Sequence, residues 1–194
     1  MAPAEGARAA ARGGRGHLDV RSSLTFSERT MLACLDVDYR SEVTVAACVV
    51  FRDWTDAAEA AHHVERGPPA ESYEPGQFYR RELPHLLKVL ARVPETLEAI
   101  VVDGYVWLGE EKPGLGAHLY EALGRAVPVI GVAKTAFHSS NNAVPVLRGQ
   151  SQRPLFVTAV GLSPTAAAAH IQRMHGDARR PTLLGRVDRL CREA

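Results

Sequence analysis

Two chemically capable side chains close apolar runs in the stretch LEAIVVDGYVWLGEEKPGLGAHLYEALGRAVPVIGVAK, from Leu97 to Lys134. Asp103 follows the run Ala99 to Val102, and Lys134 follows the run that begins at Val127. A carboxylate can hold a metal and an ammonium can meet a phosphate, so the pair points to phosphate chemistry. Further acids stand in or beside apolar patterns: Asp36 in LDVDY, Glu82 in RRELP and Asp188 in RVDRL. A carboxylate buried without a partner is costly, so at least some of these acids meet a cation or a solvated cleft. Oxygen ligands drawn from separate elements suit Mg²⁺ or Mn²⁺, which would support hydrolysis of a phosphodiester. Cysteine and histidine offer no competing site. Cys34, Cys48 and Cys191 show no CxxC spacing, and the eight histidines show no HExxH spacing.

The elements that must position these groups follow from periodicity. Leu115, Leu119 and Leu123 recur at intervals of four, with Gly114 before them and Gly124 where a helix could end. With the two flanking runs they make a βαβ unit whose parallel strands bring Asp103 and Lys134 to one rim, where ligands of such units bind. Met31 to Tyr39 and Val43 to Phe51 read as an antiparallel hairpin. Period two places Asp36 and Asp38 on one face with Cys34 behind them. Arg52 to Gly67 is open between an alanine-rich helix and a third strand. Pro68 to Gly76 is a loop with Tyr73 near its tip. Gln77 to Arg92 is a helix with Pro84 in or near its first turn, and Glu82 sits beside its apolar stripe. On its own, that placement fits a site ligand or an acid paired with Arg81 or Lys88. Ala143 to Arg148 and Pro154 to Gly161 form a second hairpin. Ser163 caps the next helix, Pro164 takes its first position and Gly176 closes it. Thr182 to Arg192 is a last helix whose periodicity turns Asp188 toward the apolar side.

The chain of 194 residues suits a single α/β domain, spanning 28–194, behind a solvated arm at 1–27 rich in Ala, Gly and Arg. A net charge of +1 gives no global attraction to nucleic acid, so such a partner needs a local basic track. Arg80, Arg81 and Lys88, with Arg179, Arg180, Arg186 and Arg189, are the candidates. No apolar run is long enough to span a membrane and no secretory core stands at the start, so a cytoplasmic monomer is expected.

From Met31 to the C-terminus the chain resembles the endonuclease V family, nucleases of the ribonuclease H-like fold that cut nucleic acid near deaminated purines, chiefly inosine. The resemblance rests on Asp36 in LDVDY, YEPGQFYRRELP from Tyr73, VVDG ending at Gly104, GLGAH from Gly114 and IGVAK ending at Lys134. It implies a mixed sheet flanked by helices and a Mg²⁺ site, which Mn²⁺ can also fill, formed by Asp36, Glu82 and Asp103. It also implies Tyr73 as an aromatic wedge beside a flipped base, Gly114 and Leu115 lining the base pocket, and Lys134 at the phosphate. The implied reaction is hydrolysis of the second phosphodiester 3′ to the lesion in DNA or RNA, leaving 5′-phosphate ends. The chain departs from the pattern at Gly109-Glu110-Glu111, where the family commonly carries His-Pro-Arg, and at Arg186, where many members have a histidine. Asp188 would replace that histidine as a fourth acid. Two other readings stand beside this one. One is a non-catalytic binder of modified or structured nucleic acid, and the other a metal nuclease acting on flaps or mismatches.

Overall fold

The computed structural model describes residues 30–69, 77–110, 112–137 and 142–194. Seven strands form one mixed sheet in the order β3-β2-β1-β4-β5-β7-β6. They are β1 (Met31–Tyr39), β2 (Thr44–Phe51), β3 (Ala61–Gly67), β4 (Leu97–Asp103), β5 (Val129–Ala133), β6 (Val144–Val146) and β7 (Leu155–Val160). The helices are α1 (Phe78–Leu90), α2 (Leu115–Ala122), α3 (Pro164–Arg173) and α4 (Thr182–Glu193). β1, β4 and β5 run parallel at the centre, while β2 and β3 on one side and β7 and β6 on the other pair antiparallel.

Period two sorts the strand residues into two cores. Leu32, Cys34, Ala99, Val101, Ile130 and Val132 face α3 and α4, where Ile171, Leu183, Val187 and Leu190 cover them. Met31, Ala33, Leu35, Ile100, Val102 and Val129 face α1 and α2, where Leu86, Val89, Leu115 and Leu119 cover them. A sheet buried on both faces accounts for the near-continuous apolar runs of β1, β2, β4 and β5.

Both predicted hairpins are present, as is the βαβ unit. The ambiguous segment resolves as a strand: β3 pairs along β2 from Ala61 opposite Val50 to Gly67 opposite Thr44. Tertiary pairing overrides the helical preference of its alanines, and His62, Glu65 and Arg66 blunt this open edge. Pro84 falls at the seventh residue of α1, in its second turn. Ser163 caps α3 by accepting from the Ala166 amide at 3.1 Å, with Pro164 following it.

Two arginines tie α4 in place. Arg40 donates to the carbonyls of Cys191 at 2.8 Å, Arg192 at 2.8 Å and Ala194 at 3.0 Å, a cation on the carbonyl end of the helix. The buried Arg148 gathers the carbonyls of Met174, Gly176 and Ala178 in the segment that leads into α4. Among the described residues no helix is long and apolar enough to cross a membrane. The three cysteines are buried and unbridged.

Candidate active site

Asp36, Asp103 and Lys134 stand at the carboxyl ends of β1, β4 and β5, the three parallel strands. Each has the strand parity of the side chains that face α4, so strand alternation brings all three to one end of one sheet face. They line a narrow crevice of about 20 Å³ with Val132, Leu155, Arg180, Leu184 and Val187. A space of that size holds one water or a bare ion. The Lys134 ammonium meets the Asp103 carboxylate at 2.5 Å, with both side chains partly exposed.

Glu82 arrives from the opposite side of the sheet. The α1 stripe that packs Leu86 and Val89 against the second core carries it inward, leaving it 7 % exposed. Among the described residues it makes no ion pair. Arg81, one of the two partners open to it from sequence, lies over the Tyr39 ring at 4.6 Å. The Tyr39 hydroxyl faces Glu82 without closing a hydrogen bond of standard geometry, and burial with that negative charge pushes the phenol upward.

Burial is the largest cause that raises the Glu82 carboxyl to about 8, with the charges of Asp36 and Asp103 adding to it. The Asp36 carboxyl rises to about 7, first through burial and then through the charges of Asp103 and Asp188, while the Val37 amide and Lys134 oppose the shift. Asp36 and Asp103 therefore share the crevice, and the charge of each reaches Glu82, which does not line it. Among the described residues no three acid, imidazole or thiol side chains already sit at the spacing of a closed metal cage. The residues nevertheless fit a hard divalent cation: the donors are all carboxylate oxygens, and a cation is what would offset their mutual repulsion.

The remaining acids separate from this group to different degrees. Asp38 pairs with Arg40 at 3.1 Å. Asp188 lies close enough for its charge to raise Asp36, yet it is held by Arg180 and Arg192, each at 3.0 Å. Arg186 pairs with Glu59 at 2.9 Å, and Arg179 donates to the carbonyls of Lys134 and Pro154. Much of the C-terminal basic cluster is thus engaged in holding the fold.

Beside the acids, Asp103 also opens on a cleft of about 330 Å³ lined by Gly114 and Leu115, together with Tyr79, Gly104, Tyr105 and Phe137. Its volume lies within the range of small-molecule sites. The Tyr105 hydroxyl donates to the Thr135 carbonyl at 2.7 Å and accepts from the Phe137 amide at 3.1 Å, which pins the segment after Lys134. Phe137 is left 41 % exposed at the rim. Periodicity gives Tyr79 a place only on the apolar face of its helix and gives Tyr105 and Phe137 no role, because none of them interrupts an apolar pattern. Tyr73 and Glu111 lie outside the described residues, as does the 1–27 arm.

Gly114 is a packing requirement of this cleft. A Cβ there would stand 2.4 Å from the Tyr105 carbonyl oxygen, and its amide donates to the Val106 carbonyl at 2.7 Å. Gly114→Ala is expected to cost on the order of 1–3 kcal/mol by forcing the 105–113 segment away from α2. A lower melting temperature than wild type checks this, and an unchanged one would count against the close approach.

A mixed sheet with acids at the carboxyl ends of its parallel strands, flanked by helices on both faces, defines the protein as an α/β protein of the ribonuclease H-like class. Residues 17–176 match the family model described as Endonuclease V, and the chain belongs to that family. Endonuclease V of Streptomyces avermitilis is 33% identical over 183 residues, covering 82% of this chain and 78% of that protein. Endonuclease V of Xanthomonas axonopodis is 31% identical over 131 residues, covering 63% of this chain and 54% of that one, so the likeness spans about half of that relative. The crystal structure of the Streptomyces avermitilis endonuclease V superposes with a TM-score of 0.70 at 29% identity, over 86% of this chain and 81% of that one. The Ciona intestinalis endonuclease V, in complex with a 24mer DNA containing an inosine followed by a ribo-adenosine, superposes with a TM-score of 0.70 at 17% identity, over 87% of each chain. At that identity the likeness is one of fold.

Proposed function

We propose that this protein is a Mg²⁺-dependent endonuclease that hydrolyses a phosphodiester on the 3′ side of inosine or deoxyinosine in nucleic acid. The observation that supports the reading most is that the charges of Asp36 and Asp103, which share the crevice with Lys134, both reach the buried Glu82, so that burial and repulsion raise Asp36 and Glu82. Bound Mg²⁺ or Mn²⁺ would supply charge neutralisation and activation of water at the phosphorus.

The chain's own residues have distinct tasks in this reading. Asp36 and Asp103, fixed by strand backbone, and Glu82, fixed by α1, would hold the cation. Lys134 is positioned by the end of β5 and half exposed, so its ammonium can leave Asp103 and meet a phosphate oxygen of the strand. The cleft beyond Asp103 takes the unstacked base, with Gly114 and Leu115 forming part of its lining. Tyr73 would stand as the wedge that fills the space the base vacates. Asp188 would add the charge of a fourth acid beside Asp36, from a position set by its pairing with Arg180 and Arg192.

The test is cleavage of an end-labelled strand containing one deoxyinosine, against the same strand with deoxyadenosine, in Mg²⁺ and in EDTA. A single Mg²⁺-dependent nick on the 3′ side of the lesion is expected. Inosine-containing RNA run in parallel decides the strand type. Binding without cutting in Mg²⁺ and Mn²⁺, on DNA and RNA alike, would replace this reading with a non-catalytic binder. Cutting at flaps or mismatches in preference to inosine would leave a metal nuclease of another specificity.

A further inference from the structure

Tyr79 and His118 stack with ring centroids 3.5 Å apart and planes within 16° of parallel, which joins α1 to α2. The two rings open on different spaces. Tyr79 lines the cleft that holds Asp103, Gly114 and Phe137, whereas His118 lines a separate cleft with Trp107, Tyr120 and Glu121. The stack is therefore a partition, with imidazole behind and phenol toward the acids. Burial holds the His118 imidazole below its ordinary value, which keeps the backing ring neutral near pH 7.

We infer that Tyr79, held flat by His118, is the stacking wall of the cleft and reads the planar face of the base placed there. This rests on the function proposed above and deepens it by assigning a base-binding residue. An aromatic plane fixed from behind gives stacking at little entropic cost, since its rotamer is already chosen. A wall of this kind favours a flat purine over an absent or non-planar base and is indifferent to the hydrogen-bonding pattern of the base edge. Discrimination of inosine from adenine must then come from the polar atoms of the cleft.

The test is a binding cycle without turnover, in EDTA. Wild type, Tyr79→Leu, Tyr79→Phe and His118→Ala are titrated with a single-stranded DNA carrying one deoxyinosine, and with the same strand carrying an abasic analogue at that position. Tyr79→Leu keeps the apolar bulk against α2 but removes the π-face, and unchanged melting temperatures identify variants that remain folded. Wild type is expected to prefer the deoxyinosine strand by about tenfold, the scale of one base–aromatic stack. Tyr79→Leu should lose that preference while binding the abasic strand as wild type does, Tyr79→Phe should keep it, and His118→Ala should reduce it. An equal loss on both strands, or a preference that survives Tyr79→Leu, would overturn the inference and leave the proposed function standing. A wild type that makes no distinction between the deoxyinosine and abasic strands would also overturn the inference, whereas the proposed function fails only if Mg²⁺-dependent cleavage at the lesion is absent.

Discussion

Asp103→Asn is expected to abolish detectable cleavage of a deoxyinosine strand, lowering turnover by on the order of 10²–10³ or more, as losses of a charge-stabilising group do. The side chain is isosteric and partly exposed, so the fold should tolerate it. Two effects then combine. The acid proposed to hold the cation loses its charge, and Lys134 loses the carboxylate that it meets at 2.5 Å. Asp36→Asn should act in the same direction and Lys134→Ala should weaken turnover more than binding. Asp38→Asn supplies the control: its carboxylate is engaged with Arg40, so cleavage should stay close to wild type and stability should change by about 1 kcal/mol or less. Single-turnover rates for the four variants decide the matter. Full activity in Asp103→Asn would remove this acid group from the reaction, and an Asp38→Asn as inactive as Asp103→Asn would point to a general effect of charge at this end of the sheet.

The second large effect concerns stability against pH. Asp36 and Glu82 titrate in the folded protein at about 7 and about 8, above their values of 3.8 and 4.5 in an unfolded chain. Over the interval between, the folded state holds protons that the unfolded state has released, so stability falls as pH rises and levels off above the folded values. His85, His118 and His170 are shifted downward by burial and work in the opposite sense, but only at acid pH, where the unfolded imidazoles take up protons. The informative window is therefore pH 6.5 to 8.5. In EDTA the melting temperature should fall across it, by an amount on the order of a few kcal/mol in stability. Added Mg²⁺ should restore more at pH 8.5 than at pH 6.5, because it binds the ionised acids. Asp36→Asn with Glu82→Gln should flatten the EDTA profile and remove the Mg²⁺ response. A wild-type profile that is already flat over this window, with no response to Mg²⁺, would show that the two carboxyls are not held protonated by their surroundings.

The same proximity makes the crevice a source of instability, and the proposed cation would relieve it. Buried acids that repel one another raise the free energy of the folded chain unless a cation joins them, and functional sites concentrate strain of this type. The rest of the sheet offsets it through two apolar cores, with α4 fastened at its end by Arg40 and its leading segment gathered by Arg148.

The sequence by itself determined every strand but β3 and the faces they bury, because period two and period 3.6 are local properties. The placement of Asp36 with Cys34, the βαβ unit around Leu115 and Leu119, the Ser163 cap and the exit of Asp103 and Lys134 at strand ends could all be read from spacing. Family motifs scattered over the chain then named the acids as one set. Only the tertiary structure decided the rest. Whether 52–67 was helix or strand depended on β2 lying alongside to pair with it, a partner that alanine content does not reveal. Glu82 was balanced between site and surface, and the packing of α1 on the sheet turned it inward while Arg81 went to Tyr39. The C-terminal arginines read as a track for a polyanion, yet Arg179, Arg180 and Arg186 found carbonyls and carboxylates of their own chain. Tyr79 and His118, 39 residues apart, carry no mark of their partnership in sequence. Local periodicity fixes which way a side chain points from its own element. What it meets there depends on elements that are distant in the chain.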